Sequence, residues 1–127
     1  MRIKFLLVGA AALALSTGVA MSQEPAGIMM MDTSAGMVLT NEDGMTLYTF
    51  DKDEPGKTNC YDQCAINWPP LLVTDGAEPV GDWTIVERDD GPAMWAYKGQ
   101  PLYLWIEDME PGDVTGDGVG GVWHVAK

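Results

Sequence analysis

The sequence predicts an all-β domain, a small antiparallel sandwich or rolled sheet built from two tandem β-meander repeats. The first observation is an internal duplication, because shifting the chain by 55 residues superposes one segment of about forty residues on another. The second is local: each copy consists of short runs rich in apolar, β-branched and aromatic residues, separated by turns that contain Gly, Pro, Asp or Asn. After residue 20, no stretch of useful length shows the 3.6-residue apolar period of a helix.

The duplication assigns repeat one to residues 28–68 and repeat two to residues 83–123, joined by a linker at 69–82 that contains Pro and Gly. The identical residues that meet at this offset include Gly36 and Gly91, Gly44 and Gly99, Leu47 and Leu102, Tyr48 and Tyr103, Asp53 and Asp108, and Trp68 and Trp123. The Pro-Gly pairs of the two copies are out of step by one residue. Two such units cannot close a propeller, so we expect them to pack about a pseudo-twofold axis in a single domain, residues 21–127.

Three strands are predicted in each copy, at 28–32, 37–40 and 45–50 and at 83–88, 93–97 and 102–106. Because side chains alternate along a strand, Tyr48 and Phe50 share one face of their strand, as Tyr103 and Trp105 do in repeat two. The apolar residues at 102, 104 and 106 occupy the opposite face, so that strand is expected to be buried on both sides.

The first twenty residues are predicted to be a signal peptide. Arg2 and Lys4 precede an apolar run at 5–15, which is too short to span a bilayer. Small residues favour cleavage before Met21, and cleavage before Gln23 also fits the pattern. No cysteine lies near either position, so we expect a periplasmic or secreted protein without a lipid anchor and without membrane insertion after cleavage.

The exported chain is expected to be strongly acidic. The full sequence has seven Lys and Arg, nineteen Asp and Glu, and a net charge of −12. The signal peptide contains two of the basic residues, so five remain against nineteen acids and the net charge becomes −14. Such a surface repels nucleic acid and anionic lipids, and it attracts a cation or a basic protein partner. Solubility of an exported protein is the other explanation for this charge.

Cys60 and Cys64 are predicted to form a disulfide, because an exported protein folds in an oxidising compartment. So short a closed loop contributes about 2 kcal/mol by the loop-entropy estimate and acts as a local clamp. At the repeat offset the two cysteines fall on Thr115 and Val119, so repeat two forms its equivalent loop without them. A redox role through this pair and the aromatic residues is an alternative, although redox pairs usually have Cys-x-x-Cys spacing.

Each repeat carries the pattern Y-x-[FWY]-x-x-D, followed later by a tryptophan. The residues are Tyr48, Phe50, Asp53 and Trp68 in repeat one and Tyr103, Trp105, Asp108 and Trp123 in repeat two. With these motifs the chain resembles the bacterial secreted-repeat family of exported proteins and lipoproteins, from about residue 34 to the end. The resemblance implies export and the repeat fold, and it implies no particular activity. From the residues themselves, we expect the aspartates to form turns and the tyrosines and tryptophans to lie in the core.

The loop at residues 113–124 is a candidate calcium site. Asp113, Thr115 and Asp117 fit positions 1, 3 and 5 of a calcium loop, and a glycine follows at position 6. His124 stands at position 12, where a bidentate Glu is needed. The alternative is a glycine-rich turn whose aspartates bond their own backbone.

A run of methionines is a candidate copper(I) site. Met29, Met30 and Met31, joined by Met37 or Met45, offer thioether ligands. However, adjacent residues on a strand point to opposite faces, so the three consecutive methionines cannot all face one ion. Packing in the core or at a sheet edge is the favoured interpretation.

The inventory of reactive residues argues against an enzyme. After the signal peptide there is one histidine, His124, and the serines are Ser22 and Ser34, which is too few for a Ser-His hydrolase or a multi-histidine metal site. Paired carboxylates suit a glycosidase, but a domain of this size has little room for a substrate cleft. The sequence therefore favours an exported, non-catalytic binding or interaction module with no required cofactor. The alternative is a periplasmic metal-handling protein that binds calcium or copper.

Overall fold

Seven β-strands in three small antiparallel sheets form the fold of residues 23–127, which the computed structural model describes. The strands are β1 (Met29–Thr33), β2 (Gly36–Thr40), β3 (Tyr48–Phe50), β4 (Trp83–Glu87), β5 (Ala93–Tyr97), β6 (Gln100–Pro101) and β7 (Trp123–Val125). One α-helix, α1 (Gln63–Asn67), and one 3-10 helix, Val119–Gly121, occupy equivalent loops of the two copies. Neither helix in this range is long and apolar enough to cross a membrane. The predicted signal peptide and its cleavage positions lie outside the described residues.

The predicted all-β fold of two tandem repeats is confirmed, with β1–β2 and β4–β5 as equivalent hairpins. The strand predicted at 102–106 differs, because the ladder ends at Pro101 and Tyr103 forms only isolated bridges. Leu102 is fully buried, but Ile106 is 47% exposed, so the expectation of a buried face along the whole segment is wrong at its end. A turn at 106–107 brings the chain to the surface there.

Each repeat contributes its C-terminal segment to the other repeat. The strand β3 of repeat one pairs with β7 from the end of the chain. Ile106 of repeat two donates its backbone N–H to the carbonyl of Asn67 at 3.1 Å, and Asp51 of repeat one donates to Val122 at 2.8 Å. These two bonds are equivalent at the 55-residue offset, so the exchange is reciprocal. Each copy therefore completes its backbone hydrogen bonds with groups of the other copy.

Two hydrophobic clusters lie on opposite faces of the central segments. The first contains the motif side chains Tyr48, Tyr103, Trp68 and Trp123. The buried members of the second are Ile28, Leu39, Leu47, Trp83, Trp95, Leu102 and Ala126. Alternation explains the division, because each motif tyrosine follows a leucine and neighbouring side chains on an extended chain point to opposite faces. The motif tyrosines and tryptophans therefore belong to the first cluster, whereas the leucines that precede the tyrosines belong to the second.

Candidate functional site

The two copies meet at their motif tyrosines. Tyr48 donates its backbone N–H to the carbonyl of Tyr103 at 2.8 Å, and Tyr103 donates to the carbonyl of Tyr48 at 3.0 Å. Because these residues are equivalent at the repeat offset, the bridge between them lies on the pseudo-twofold axis. Contacts that the motif makes on one side of this axis recur on the other.

Each motif aspartate accepts a hydrogen bond from the tyrosine of the other repeat. The Tyr48 hydroxyl donates to Oδ2 of Asp108 at 2.7 Å, and the Tyr103 hydroxyl donates to Oδ2 of Asp53 at 2.5 Å. Both aspartates also accept from the backbone of the loop that follows them, at 2.7 and 2.9 Å. The backbone bonds are those of a turn-forming residue. The tyrosine bonds link the copies, and the motif alone did not predict them.

Burial changes the pKa of both motif tyrosines and of Asp53. It raises the pKa of the Tyr48 and Tyr103 hydroxyls far above the ordinary range, and the hydrogen bonds to Asp108 and Asp53 raise them further. Burial also raises the pKa of Asp53, and the hydrogen bond from its tyrosine acts in the opposite direction. Both tyrosines therefore stay protonated at physiological pH and donate hydrogen bonds to the aspartates.

Four aromatic rings form a column across the axis. Trp68 and Trp123 stack with ring centroids 3.8 Å apart and planes 2° from parallel. Trp105 extends the column beyond Trp68 at 3.9 Å, and Phe50 extends it beyond Trp123 at 4.2 Å. The motif tyrosines meet the two tryptophans edge-on, at 5.4 and 5.2 Å. Trp68 and Trp123 are 5% and 4% exposed, so the column lies in the core and offers no open cage for a ligand.

The Pro-Gly turns complete the reciprocal contacts. Gly56 donates its N–H to the carbonyl of Gly99 at 2.8 Å, and Gly112 donates to Gly44 at 3.2 Å. A side chain on Gly44, where φ is +80°, would bring its Cβ within 2.9 Å of the Cβ of Pro111. Glycine is therefore required at this position by both backbone conformation and the close approach of the other copy.

The loop of repeat one is closed by the predicted disulfide between Cys60 and Cys64, whose Cα atoms are 5.2 Å apart. Arg88, which is 4% exposed, donates to the carbonyl of Cys60 at 3.0 Å and forms two bonds of 2.9 Å with Asp90. Its guanidinium also lies 4.6 Å from the ring centre of Tyr61. These contacts anchor the loop to the β4–β5 hairpin. Cys60 is fully buried and Cys64 is partly buried against the first hydrophobic cluster, an environment that suits a staple.

The loop of repeat two is closed by hydrogen bonds from its acidic side chains. The carboxylate of Asp113 accepts from the backbone N–H groups of residues 109 and 110, at 2.9 and 3.0 Å. Asp117 accepts from the backbone of β7 at 3.1 Å, and the hydroxyl of Thr115 donates to Asp108 at 2.6 Å. Within residues 23–127 no group of three or more His, Cys, Asp or Glu side chains could hold a metal ion. The three residues thus make turn contacts, and calcium binding stays a prediction.

The methionines of β1 are divided between its two faces. Met30 lies opposite Leu39 and shares a face with Met37, whereas Met29 and Met31 lie on the other face. The side chains of Met29, Met30 and Met37 are 48%, 44% and 49% exposed. Copper binding through these residues also stays a prediction, because two of the three consecutive methionines share a face and the third points away.

Two contributors to the site were missed from the sequence. Arg88 was assigned to the end of a strand, although the one arginine among residues 23–127 of so acidic a chain was a signal of a specific partner. Thr58 forms a hydrogen bond of 2.5 Å with the Tyr103 hydroxyl. No sequence pattern pointed to Thr58, because repeat two has no threonine at the equivalent offset.

These contacts define a class of protein: a β domain of two interlocked copies, in which the side chains that recur in both copies hold the copies together. A family model for a secreted repeat of unknown function matches residues 29–72 and 84–127. The chain therefore belongs to this secreted-repeat family, as its motifs predicted. Residues 69–72, placed in the linker from the sequence, fall inside the first match. No curated protein and no solved structure matches the chain.

Proposed function

We propose that this protein is an exported, non-catalytic interaction module that binds a protein partner through its surface, in the periplasm or the medium and without a lipid anchor. The observation that carries the proposal is the use of the repeated motif. Both motif tyrosines donate to carboxylates of the other copy, and the motif tryptophans are stacked in the core. Because the motif side chains hold the two repeats together as a structural frame, we expect a partner to be recognised by surface residues that are not repeated in the two copies.

The surface supports recognition through charge and apolar contact. The net charge expected after export is −14, and an acidic surface attracts basic groups and accelerates encounter with them. Large apolar side chains are exposed on the β1–β2 hairpin and also at Ile66 and Met109, which are 63% and 79% exposed. Membership of a secreted family supports export.

Site-directed photocrosslinking in the producing cells tests the proposal. A photoreactive amino acid replaces Met30, Ile66 or Met109, three exposed residues in different segments of the surface. We expect a discrete adduct with one or a few proteins from at least one position. The same variants carrying Trp68→Ala, which disrupts the frame, should lose that adduct. The absence of a discrete adduct from all three positions, with the variants folded and exported, would contradict an interaction module.

A further inference from the structure

The strand β1 presents an unpaired outer edge in the described part of the chain. Its inner side pairs with β2, where Met30 lies opposite Leu39. Leu39 directs its own backbone away from β1, since its N–H donates to Ala126 at 2.9 Å. Directly opposed residues of an antiparallel pair either bond each other or both point outward. The backbone groups of Met30, and of Asp32 two residues on, therefore point away from β2, and within residues 23–127 no backbone group bonds to them.

The exposure of β1 differs in part from that of the equivalent strand in repeat two. At the 55-residue offset Met29 and Met30 correspond to Thr84 and Ile85 of β4. Thr84 is exposed, as Met29 is, but Ile85 is partly buried against the second hydrophobic cluster, whereas Met30 is 44% exposed. Edge strands are commonly protected from pairing by charged side chains, Pro or a bulge, and Asp32 is the one such feature of β1. Methionine is flexible and polarizable, which suits a surface that packs against another chain.

A cleft of about 180 Å³ adjoins the start of β1. Its apolar lining includes Leu71, Leu72, Ala77 and Trp95. Glu42 also lines the cleft, with its carboxylate oxygen 3.8 Å from the position of a Cβ on Gly27, just before β1. No basic side chain of residues 23–127 forms an ion pair with Glu42. An apolar wall beside an unpaired carboxylate fits a Lys or Arg side chain, which buries its stem and keeps its charge at the carboxylate.

We propose that β1 and this cleft form a docking site for an extended basic segment of a partner protein. The segment adds a strand to the outer edge of β1, bonds the backbone of Met30 and Asp32, and packs alternate side chains on the exposed methionines. A Lys or Arg of the segment occupies the cleft beside Glu42. The net charge of −14 expected after export favours a basic partner over a second copy of this chain, which would be repelled. This inference rests on the proposed function and specifies the chemistry of the partner.

Fluorescence anisotropy with the mature protein and labelled peptides tests the docking site. A peptide of alternating Lys and Val is the probe, and a peptide of alternating Glu and Val is its matched control. We expect saturable binding of the Lys-Val peptide that weakens with added salt, and no binding of the Glu-Val peptide.

Met30→Pro removes an outward N–H without removing a bond to β2, so it should weaken binding by about tenfold. Glu42→Gln should weaken binding by about threefold, and Glu107→Gln, which removes an exposed acid elsewhere, should leave it unchanged.

Melting curves show which variants are folded, and Met30→Lys replaces Met30→Pro if the proline unfolds the hairpin. Wild-type affinity in a folded variant at Met30, or equal binding of the two peptides, overturns the docking site. Self-association in sedimentation that a substitution at Met30 abolishes would assign the edge to a second copy and would also overturn it. A partner crosslinked from Met109 and not from Met30 overturns this site but leaves the proposed function intact.

Discussion

The two repeats share a frame and differ in the loop that follows the motif aspartate. In repeat one this loop is closed covalently by Cys60 and Cys64. In repeat two it is closed by the carboxylates of Asp113 and Asp117, which accept backbone N–H groups. The residues that recur mediate contact between the copies, whereas those that differ are local solutions to closing a loop. A duplicated chain thus separates, within one sequence, what holds the fold from what is free to vary.

The covalent closure accompanies an unusual backbone conformation. Asp62, between the two cysteines, has φ 55° and ψ −125°, a region that favours glycine. At the end of the equivalent turn in repeat two, Gly118 takes the positive φ of 87°. In repeat one, a residue with a side chain adopts this unfavourable conformation inside the disulfide ring. In repeat two, a glycine adopts the positive φ, so the backbone there is not strained.

Loss of the aromatic column should have the largest effect, and that effect should be equal in the two repeats. Trp68→Ala and Trp123→Ala each remove a buried ring that stacks on two others, so each should lower the free energy of unfolding by about 3–5 kcal/mol. Urea unfolding followed by circular dichroism measures both. Phenylalanine at either position keeps an aromatic ring and should cost less. If one alanine variant loses far less stability than the other, the two repeats do not share the column equally.

Removal of the carboxylate should destabilise the fold more at Asp108 than at Asp53. At Asp108 the three groups that face the carboxylate are the Tyr48 hydroxyl and the N–H and hydroxyl of Thr115, and all of them donate. Asp108→Asn therefore leaves a buried donor unpaired and should cost about 1–3 kcal/mol in urea unfolding. Asp53→Asn should cost less than about 1 kcal/mol, because its tyrosine partner can donate to Thr58 instead. Equal losses would show that the surroundings of the two carboxylates do not matter.

The pH dependence of Asp53→Asn sharpens the same comparison. Burial raises the pKa of Asp53, so the folded state holds this proton more tightly than the unfolded state. The carboxyl therefore favours folding at low pH, and that contribution is lost as the pH rises above the ordinary value of 3.8. In urea titrations over this range, the stability of the wild type minus that of Asp53→Asn should fall as the pH rises. A difference that increases with pH would contradict the raised pKa.

The frame was predictable because the duplication is visible within one chain. The equivalences of Tyr48 with Tyr103 and of Trp68 with Trp123 indicated the pseudo-twofold axis and the core residues. The choice of partner was not predictable, because a bond from Tyr48 to the aspartate of its own repeat satisfies the same motif. Tyr48 bonds Asp108 and not Asp53 because each repeat pairs with the C-terminal segment of the other repeat. The segment at 69–71 was assigned to a linker for the same reason, since its hydrogen-bond partners belong to the other repeat.

The candidate docking surface was less predictable than the frame. Alignment with residues 84–86 placed the methionine run on a strand, and β1 is that strand. The exposure of β1 depends on whether another element packs over it, and the sequence pattern of Met29–Thr33 does not distinguish a covered strand from an uncovered one. The sequence likewise indicated an acidic surface but not that Glu42 lies beside an apolar cleft formed by residues far along the chain.

The smallest effect is expected at the loop acids, where the difference between the repeats also tests the calcium prediction. Asp117→Asn keeps an oxygen that can accept the N–H from β7, so the free energy of unfolding should change by less than about 0.5 kcal/mol. Asp62→Asn, at the equivalent position of repeat one, is the matched control.

We expect no rise in Tm with excess calcium, because the carboxylate of Asp113 already accepts two backbone N–H groups. Calcium at a hundred times its dissociation constant would stabilise a true site by about 2.7 kcal/mol. A rise of that size in the wild type and in Asp62→Asn, lost in Asp117→Asn, would mean that repeat two closes its loop on a cation and that the repeats differ in function as well as in closure.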